Sequence, residues 1–236
     1  MPDYGRFEAL TFDCYGTLID WESGLLAAFR RLLGAHGVEA GDEELLARYA
    51  GHEAAAEAGP YRRYREVVAT SLRGVAADLG IAPSEAEVAA FAASVGDWPP
   101  FADTPAALRE LAQRFRLGVI TNCDDDLFAA SNARLGVTFD WVVTAEQVKS
   151  YKPDERLFHE AFERLGLPRD RILHVAQSVY HDHVPAQRLG LASVWIDRRQ
   201  GREGTGATPV AEARPDATFP DLASFARAAS AGDAEA

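Results

Sequence analysis

Six short apolar runs punctuate the chain. Phe7–Phe12 (FEALTF), Leu117–Thr121 (LGVIT), Trp141–Val143, Ile172–Ala176 (ILHVA) and Ala192–Ile196 (ASVWI) each have strand length, and Ala217–Phe219 is a weaker sixth. These runs predict strands buried in a sheet. Between them lie helical patterns with readable ends. Thr104-Pro105 opens one as N-cap and first-turn proline. Another runs from about Glu155 to Leu165 and stops at Gly166, and a third ends at Leu189 before Gly190. Apolar strands alternating with amphipathic helices predict an α/β protein with a parallel sheet covered on both faces. In such sheets a ligand sits beyond the carboxyl ends of the strands.

Residues 21–97 break this rhythm. Leu25, Leu26, Phe29, Leu32 and Leu33 recur at helical spacing, as do Leu45, Leu46 and Tyr49, then Val67, Val68, Leu72 and Val75. The segment reads as an insertion of about four helices after the first strand. Trp98-Pro99-Pro100 is the hinge back, because consecutive prolines stop a helix. The expected division is therefore residues 1–20 and 98–229 as an α/β unit, 21–97 as a helical unit, and 230–236 as a disordered tail. The Gly- and Pro-rich stretch after Ile196 reads as a surface loop.

Composition narrows the function classes. The 236 residues carry 24 Lys and Arg against 36 Asp and Glu, a net charge of −12, which argues against a nucleic-acid scaffold. No apolar stretch approaches the roughly 18–20 residues of a membrane helix, and the first residues lack a signal-peptide pattern. Cys14 and Cys123 make no disulfide framework. A soluble cytoplasmic protein, with no membrane or nucleic-acid partner and with a homodimer left open, is the expectation.

Chemistry gathers at predicted strand ends. Four polar clusters lie there: Asp13-Cys14-Tyr15-Gly16-Thr17, Thr121-Asn122, Lys152-Pro153, and Ser178-Val179-Tyr180-His181-Asp182. One polar loop is unremarkable, since loops carry polar residues anyway. Four in strand order, with a lysine in the third and an acid in the fourth, point to a site. Each residue also has a plainer reading: Asp13 as a turn former, Lys152 as a surface lysine, Asp182 as a helix cap, Thr121-Asn122 as a strand end. His181 and His183 read as loop histidines, because adjacent ligand-type residues seldom converge on one ion. Cys14 and Cys123 read as buried, and Asp124-Asp125-Asp126 as a solvated helix start. Trp21, Trp98 and Phe101 read as packing, or as an aromatic wall over a substrate.

Asp13–Leu18 (DCYGTL), Ile120–Asn122 (ITN), Tyr151–Pro153 (YKP) and His174–Gly190 together resemble the haloacid dehalogenase superfamily of hydrolases. The resemblance covers nearly the whole chain and implies a Rossmann-like core with an inserted helical cap. Phosphatases of that superfamily carry a second aspartate two residues after the nucleophile. Here that position is Tyr15, a phenol whose ordinary pKa near 10 suits it poorly as a general acid. Asp-x-Tyr-Gly-Thr-Leu is instead similar to the 2-haloacid dehalogenases, whose halide leaves without a proton. The resemblance implies Asp13 as nucleophile, Lys152 pairing with Asp13 and Asp182, and Asp182 helping to activate water. It implies Thr121 and Asn122 on the substrate carboxylate or halide, and Tyr15 as a pocket wall that helps hold the halide. Ser178 supplies a hydroxyl, and a cap arginine binds the substrate carboxylate. Arg62, Arg63, Arg65 and Arg48 are candidates, with Arg62 favoured. No metal and no cofactor are implied, and the substrate is a small 2-haloacid.

Three positions depart from the dehalogenase pattern: Gln177 and Val179, where a serine and an asparagine are expected, and Phe158, where a tyrosine is expected. Two other readings stay open. One is a Mg²⁺-dependent phosphatase acting on a small phosphorylated metabolite. The other is a non-catalytic binding protein on the same scaffold.

Overall fold

The structure is a computed structural model that describes residues 2–201 and 206–231. All six apolar runs are strands of one parallel sheet, in the order β3-β2-β1-β4-β5-β6. These are β1 (Ala9–Phe12), β2 (Arg116–Thr121), β3 (Trp141–Thr144), β4 (Ile172–Ala176), β5 (Ala192–Ile196) and β6 (Ala217–Phe219). Every residue of β1 and β4 is buried, so both faces of the sheet are covered there. Phe12 lies level with Val119 of β2 and with Val175 of β4. The chain order reverses beside β1, so this strand delivers its carboxyl end to the crevice where parallel sheets bind ligands.

Four helices occupy the segment between β1 and the Trp98-Pro99-Pro100 turn: α1 (Trp21–His36), α2 (Asp42–Glu57), α3 (Tyr64–Asp78) and α4 (Glu85–Ala93). The sheet unit adds α5 (Thr104–Leu111), α6 (Asp125–Leu135), α7 (Ala145–Val148), α8 (Arg156–Leu165), α9 (Val184–Leu189) and α10 (Leu222–Ser230). The chain leaves and re-enters the sheet unit at one place. Ile19 bridges Pro100, and the Asp20 N–H donates to the Pro99 carbonyl. Gly166 and Gly190 close α8 and α9 in the left-handed conformation that glycine tolerates.

Three expectations change. Asp124 is fully buried, not solvated. Its carboxylate accepts from the backbone N–H groups of Tyr64 (2.8 Å) and Arg65 (3.1 Å), so it satisfies orphan donors at the start of α3 from across the structure. The stretch after Ile196 is more than a surface loop: Arg199 pairs with Glu22 and Glu43, and Ala207 is buried. Ser230 ends α10, while 232–236 of the expected tail lie outside the described residues.

Candidate active site

Three strand ends and one loop converge on a single ammonium. Asp13 follows β1, and the side chain of Lys152 crosses to it from the loop after β3 and α7. Lys152 Nζ donates to Asp13 Oδ1 (2.9 Å), to Asp182 Oδ1 (2.7 Å) and to the Ile120 carbonyl (2.9 Å). Those bonds use all three ammonium protons. Asn122 locks the lysine's backbone from the end of β2: its Oδ1 accepts from Lys152 N–H (2.7 Å) and its Nδ2 donates to the Lys152 carbonyl (3.0 Å).

The network extends beyond these residues. Thr17 Oγ1 donates to Asp13 Oδ2 (2.8 Å) and accepts from the Gln177 N–H (2.9 Å). Gly16 makes the turn that brings Thr17 back; its φ of 93° is one that side chains avoid, and a Cβ there would stand 3.0 Å from Trp21. On β4, His174 lies between Thr11 Oγ1 (2.9 Å from Nδ1) and Asp182 Oδ1 (3.0 Å from Nε2). A proton on Nε2 lets the ring donate to Asp182. Phe158, fully buried, meets the edge of that imidazole at a centroid distance of 5.1 Å, so this departure from the family pattern packs behind the site.

Protonation follows from burial and pairing. Burial pushes the carboxyl of Asp13 up, and Lys152 opposes that rise. Burial also penalises the Asp182 anion, but Lys152 and His174 outweigh it and hold Asp182 below the usual carboxylate range. Lys152 is raised despite its burial, because two carboxylates favour its charge. Burial, helped by the nearby acids Asp13 and Asp124 respectively, pushes the thiols of Cys14 and Cys123 up, in keeping with their reading as packing residues.

A small cavity, with about 40 Å³ accessible to water, lies over Asp13. Its wall includes Tyr15, Trp21 and Tyr64, with Tyr15 stacked on Tyr64 and edge-on to Trp98. Thr121 Oγ1 and Asp182 Oδ2 are buried without a hydrogen-bond partner at this cavity. Such atoms need a ligand or water to be satisfied.

The residues expected from sequence fall into three groups. Asp13, Lys152 and Asp182 meet directly, and Thr121 lines the cavity with a free hydroxyl. Asn122, Ser178 and Tyr15 line it too, but with polar groups engaged elsewhere. Asn122 holds Lys152, and Ser178 Oγ accepts from the His181 N–H (3.0 Å). The Tyr15 hydroxyl bonds Ser131 (2.9 Å) and accepts from Cys123, so it does not serve as a halide donor in this arrangement. None of the arginine candidates lines the cavity. Arg62 is exposed, Arg63 pairs with Asp126 and Glu146, Arg65 with Asp126, and Arg48 with Glu44. Arg63, Arg65 and Arg48 are thus held by acidic partners outside the cavity.

Sequence reasoning missed Glu53 and Glu57, which α2 points into the cavity. Their signal was visible as two acids four residues apart in the otherwise small-residue run His52–Ala58 (HEAAAEA), spacing that puts them on one helix face. It missed His174 as well, a histidine within an apolar strand. His183 is a buried anchor rather than a loop residue, contacting Ser193 Oγ and the Ala176 carbonyl.

The superfamily's phosphatases imply a divalent cation beside the first strand, and the residues here do not fit one. Lys152 Nζ bridges Asp13 and Asp182, and among the described residues no group of three or more His, Cys, Asp or Glu is arranged to hold a metal. A hard cation needs several oxygen ligands, and Tyr15 stands where a second acid would supply one.

A parallel sheet with an acid after its first strand, clamped by a lysine from a later loop, defines a class of hydrolases. The chain belongs to the haloacid dehalogenase-like hydrolases, whose family model matches residues 7–182. It is 28% identical over 218 residues to (S)-2-haloacid dehalogenase H-109 of Pseudomonas putida, covering 88% of this chain and 93% of the relative. It is 30% identical over 213 residues to the 5-amino-6-(5-phospho-D-ribitylamino)uracil phosphatase YigB of Escherichia coli K12, covering 84% and 86%. The crystal structure of the L-2-haloacid dehalogenase PA0810 superposes with a TM-score of 0.79 at 26% identity, covering 94% of this chain and 99% of that one. Among the described residues, no helix is long and apolar enough to cross a membrane.

Proposed function

We propose that this hydrolase cleaves the carbon–halogen bond of a small compound halogenated at carbon 2, through an ester on Asp13. The 2-haloacids named for its relatives are the starting substrate class. The observation that carries the reading is the Lys152 clamp on Asp13 and Asp182 at the floor of an aromatic-walled cavity. In the first step one Asp13 carboxylate oxygen attacks carbon 2, and the carbon–halogen bond breaks with its electron pair leaving on the halide. Halide is a stable anion, so the occupied Tyr15 hydroxyl costs nothing. The other Asp13 oxygen becomes the ester carbonyl and keeps a donor, from either Lys152 or Thr17. In the second step water attacks that carbonyl carbon and its proton passes toward Asp182, whose Oδ2 lacks a partner. Breakdown restores the Asp13 carboxylate and releases the 2-hydroxy product, with one halide and one proton per turnover. Metal independence belongs to this reading, because Lys152 supplies the positive charge.

The test is halide release from 2-chloropropionate and 2-chloropropionamide, with and without EDTA, beside phosphate release from a panel of small phosphomonoesters. Halide release insensitive to EDTA, with a mass gain on the Asp13 peptide in a quenched single turnover, is the expected result. Phosphate release that EDTA abolishes, without halide release, favours the phosphatase alternative. Absence of any turnover or adduct favours the binding-protein alternative.

A further inference from the structure

The two oxygens of Asp182 have unequal surroundings. Oδ1 accepts from Lys152 Nζ (2.7 Å) and lies 3.0 Å from His174 Nε2, whereas Oδ2 is buried at the cavity without a partner. Lys152 does not set that difference by itself. Its ammonium ends a flexible stem and is shared with Asp13 and the Ile120 carbonyl. The imidazole is a rigid plane in a fixed place. His174 is fully buried on β4, level with Thr11 of β1, whose Oγ1 stands 2.9 Å from Nδ1. Phe158 closes on the ring from behind, at 5.1 Å between centroids and 71° between planes. His183, also buried, is engaged by Ser193 Oγ and the Ala176 carbonyl. A polar ring inside the apolar strand Ile172–Ala176 is costly unless its nitrogens are used, and here both have partners.

We propose that His174 is a positioning residue for ester hydrolysis: it holds Oδ1 of Asp182 and so keeps Oδ2 aimed at the attacking water. The inference rests on the Asp13 ester pathway and concerns its second step. In that step one water proton passes to Oδ2, and the water oxygen bonds the ester carbon of Asp13. The bond from that carbon to the product oxygen then breaks, and this oxygen takes the second water proton. The first step, attack of Asp13 on carbon 2, abstracts no proton and makes no use of Oδ2. Losing His174 therefore separates the two steps. The cavity suits such a water. Its volume of about 40 Å³ exceeds what one water requires, and Thr121 Oγ1 is a second unpartnered polar atom there. A proton acceptor for this step must begin ionised. Against the burial that penalises its charge, Lys152 and then His174 hold Asp182 below the usual carboxylate range.

The test is a single turnover of 2-chloropropionate by an excess of the full chain, with halide timing the first step and 2-hydroxypropionate the second. His174→Phe keeps a flat ring against Phe158 but removes the donor. It should form halide at close to the wild-type rate, release the hydroxy acid about 100-fold more slowly, and carry the ester on its Asp13 peptide meanwhile. His174→Gln, which can place an N–H near the position of Nε2, should release it within about tenfold of the wild-type rate. Both steps slowed alike, neither slowed, or His174→Gln as impaired as His174→Phe overturns the proposal. Ring-nitrogen NMR of the wild type needs no substrate and decides the contact even where a variant fails to fold. Nε2 of His174 should carry a proton at pH 7, and an Nε2 without one overturns the proposal too. If the wild type releases no halide and traps no ester, the dehalogenation reading fails. A protonated Nε2 then keeps the His174–Asp182 contact, and a bare one removes it.

Discussion

At the sheet end of the cavity, Lys152 touches two carboxylates and a carbonyl, and Thr17 and His174 take up further oxygens. At the helical end, Glu53 accepts from two phenols and Glu57 lies beside an imidazole, and among the described residues neither makes a direct ion pair with a lysine or arginine. The two ends line one cavity but differ in their partners. Lys152 and His174 hold Asp182 below the usual range, and Lys152 opposes the rise that burial gives Asp13; Glu53, bonded only by phenols, rises to about 7. One end is built to keep fixed charges aimed at a reacting atom. The other is a reservoir of protons and acceptors whose state depends on pH and on what is bound.

The comparison breaks most sharply at Lys152. Lys152→Met leaves Asp13 and Asp182 buried without their counterion, so we expect a loss on the order of 3–5 kcal/mol in urea unfolding, and no turnover. If unfolding is unchanged, the sheet end is not held by this pairing. Asp13→Asn should lower turnover by a factor on the order of 10³ or more while the fold persists. In the wild type, the acid limb of kcat/KM should lie above 3.8, because burial raises Asp13.

Glu53→Gln sharpens the contrast through pH. A carboxyl raised from 4.5 to about 7 on folding contributes stability that is complete below 4.5 and lost as pH climbs through 7. The expected loss is about 3 kcal/mol for the wild type relative to the variant. Asp182 runs the other way: its folded value is depressed, so its contribution is present above 3.8 and disappears as pH falls. Denaturation midpoints of both proteins between pH 4 and 8 decide the matter; parallel curves would mean Glu53 does not titrate as described.

Smaller effects test the connections between the two ends. Asp124→Ala removes the acceptor for the first N–H groups of α3 and should cost about 1–2 kcal/mol, read as a fall of a few degrees in Tm. Tyr15→Phe loses the Ser131 bond, about 1 kcal/mol, and should leave kcat within a few-fold. A larger fall in kcat would show that the phenol takes part in the chemistry after all.

The sheet end was readable because strands deliver residues to a predictable edge. Asp13 and Thr121 stand at the ends of apolar runs, and parallel pairing places those ends together. The helical end was not readable in the same way. A helix pattern shows which residues share a face, but not what the face meets. Arg62 was favoured for its fork of donors, yet it is exposed, while the glutamates in an alanine-rich turn face inward. Asp124 misled for a related reason. An acid at a helix start reads as solvated, and only packing shows that it caps a different helix 59–60 residues earlier in the chain.

Local physics was enough to predict the strands, their parallel sense and about four inserted helices, since backbone propensity and burial act over a few residues, while the pairing of Lys152 with Asp13 and Asp182 was what the family resemblance implied. The charge of the substrate wall was decided only in three dimensions. It depends on how α2 sits over the sheet, and an orientation between packed elements is set by long-range contacts that no stretch of the chain encodes by itself.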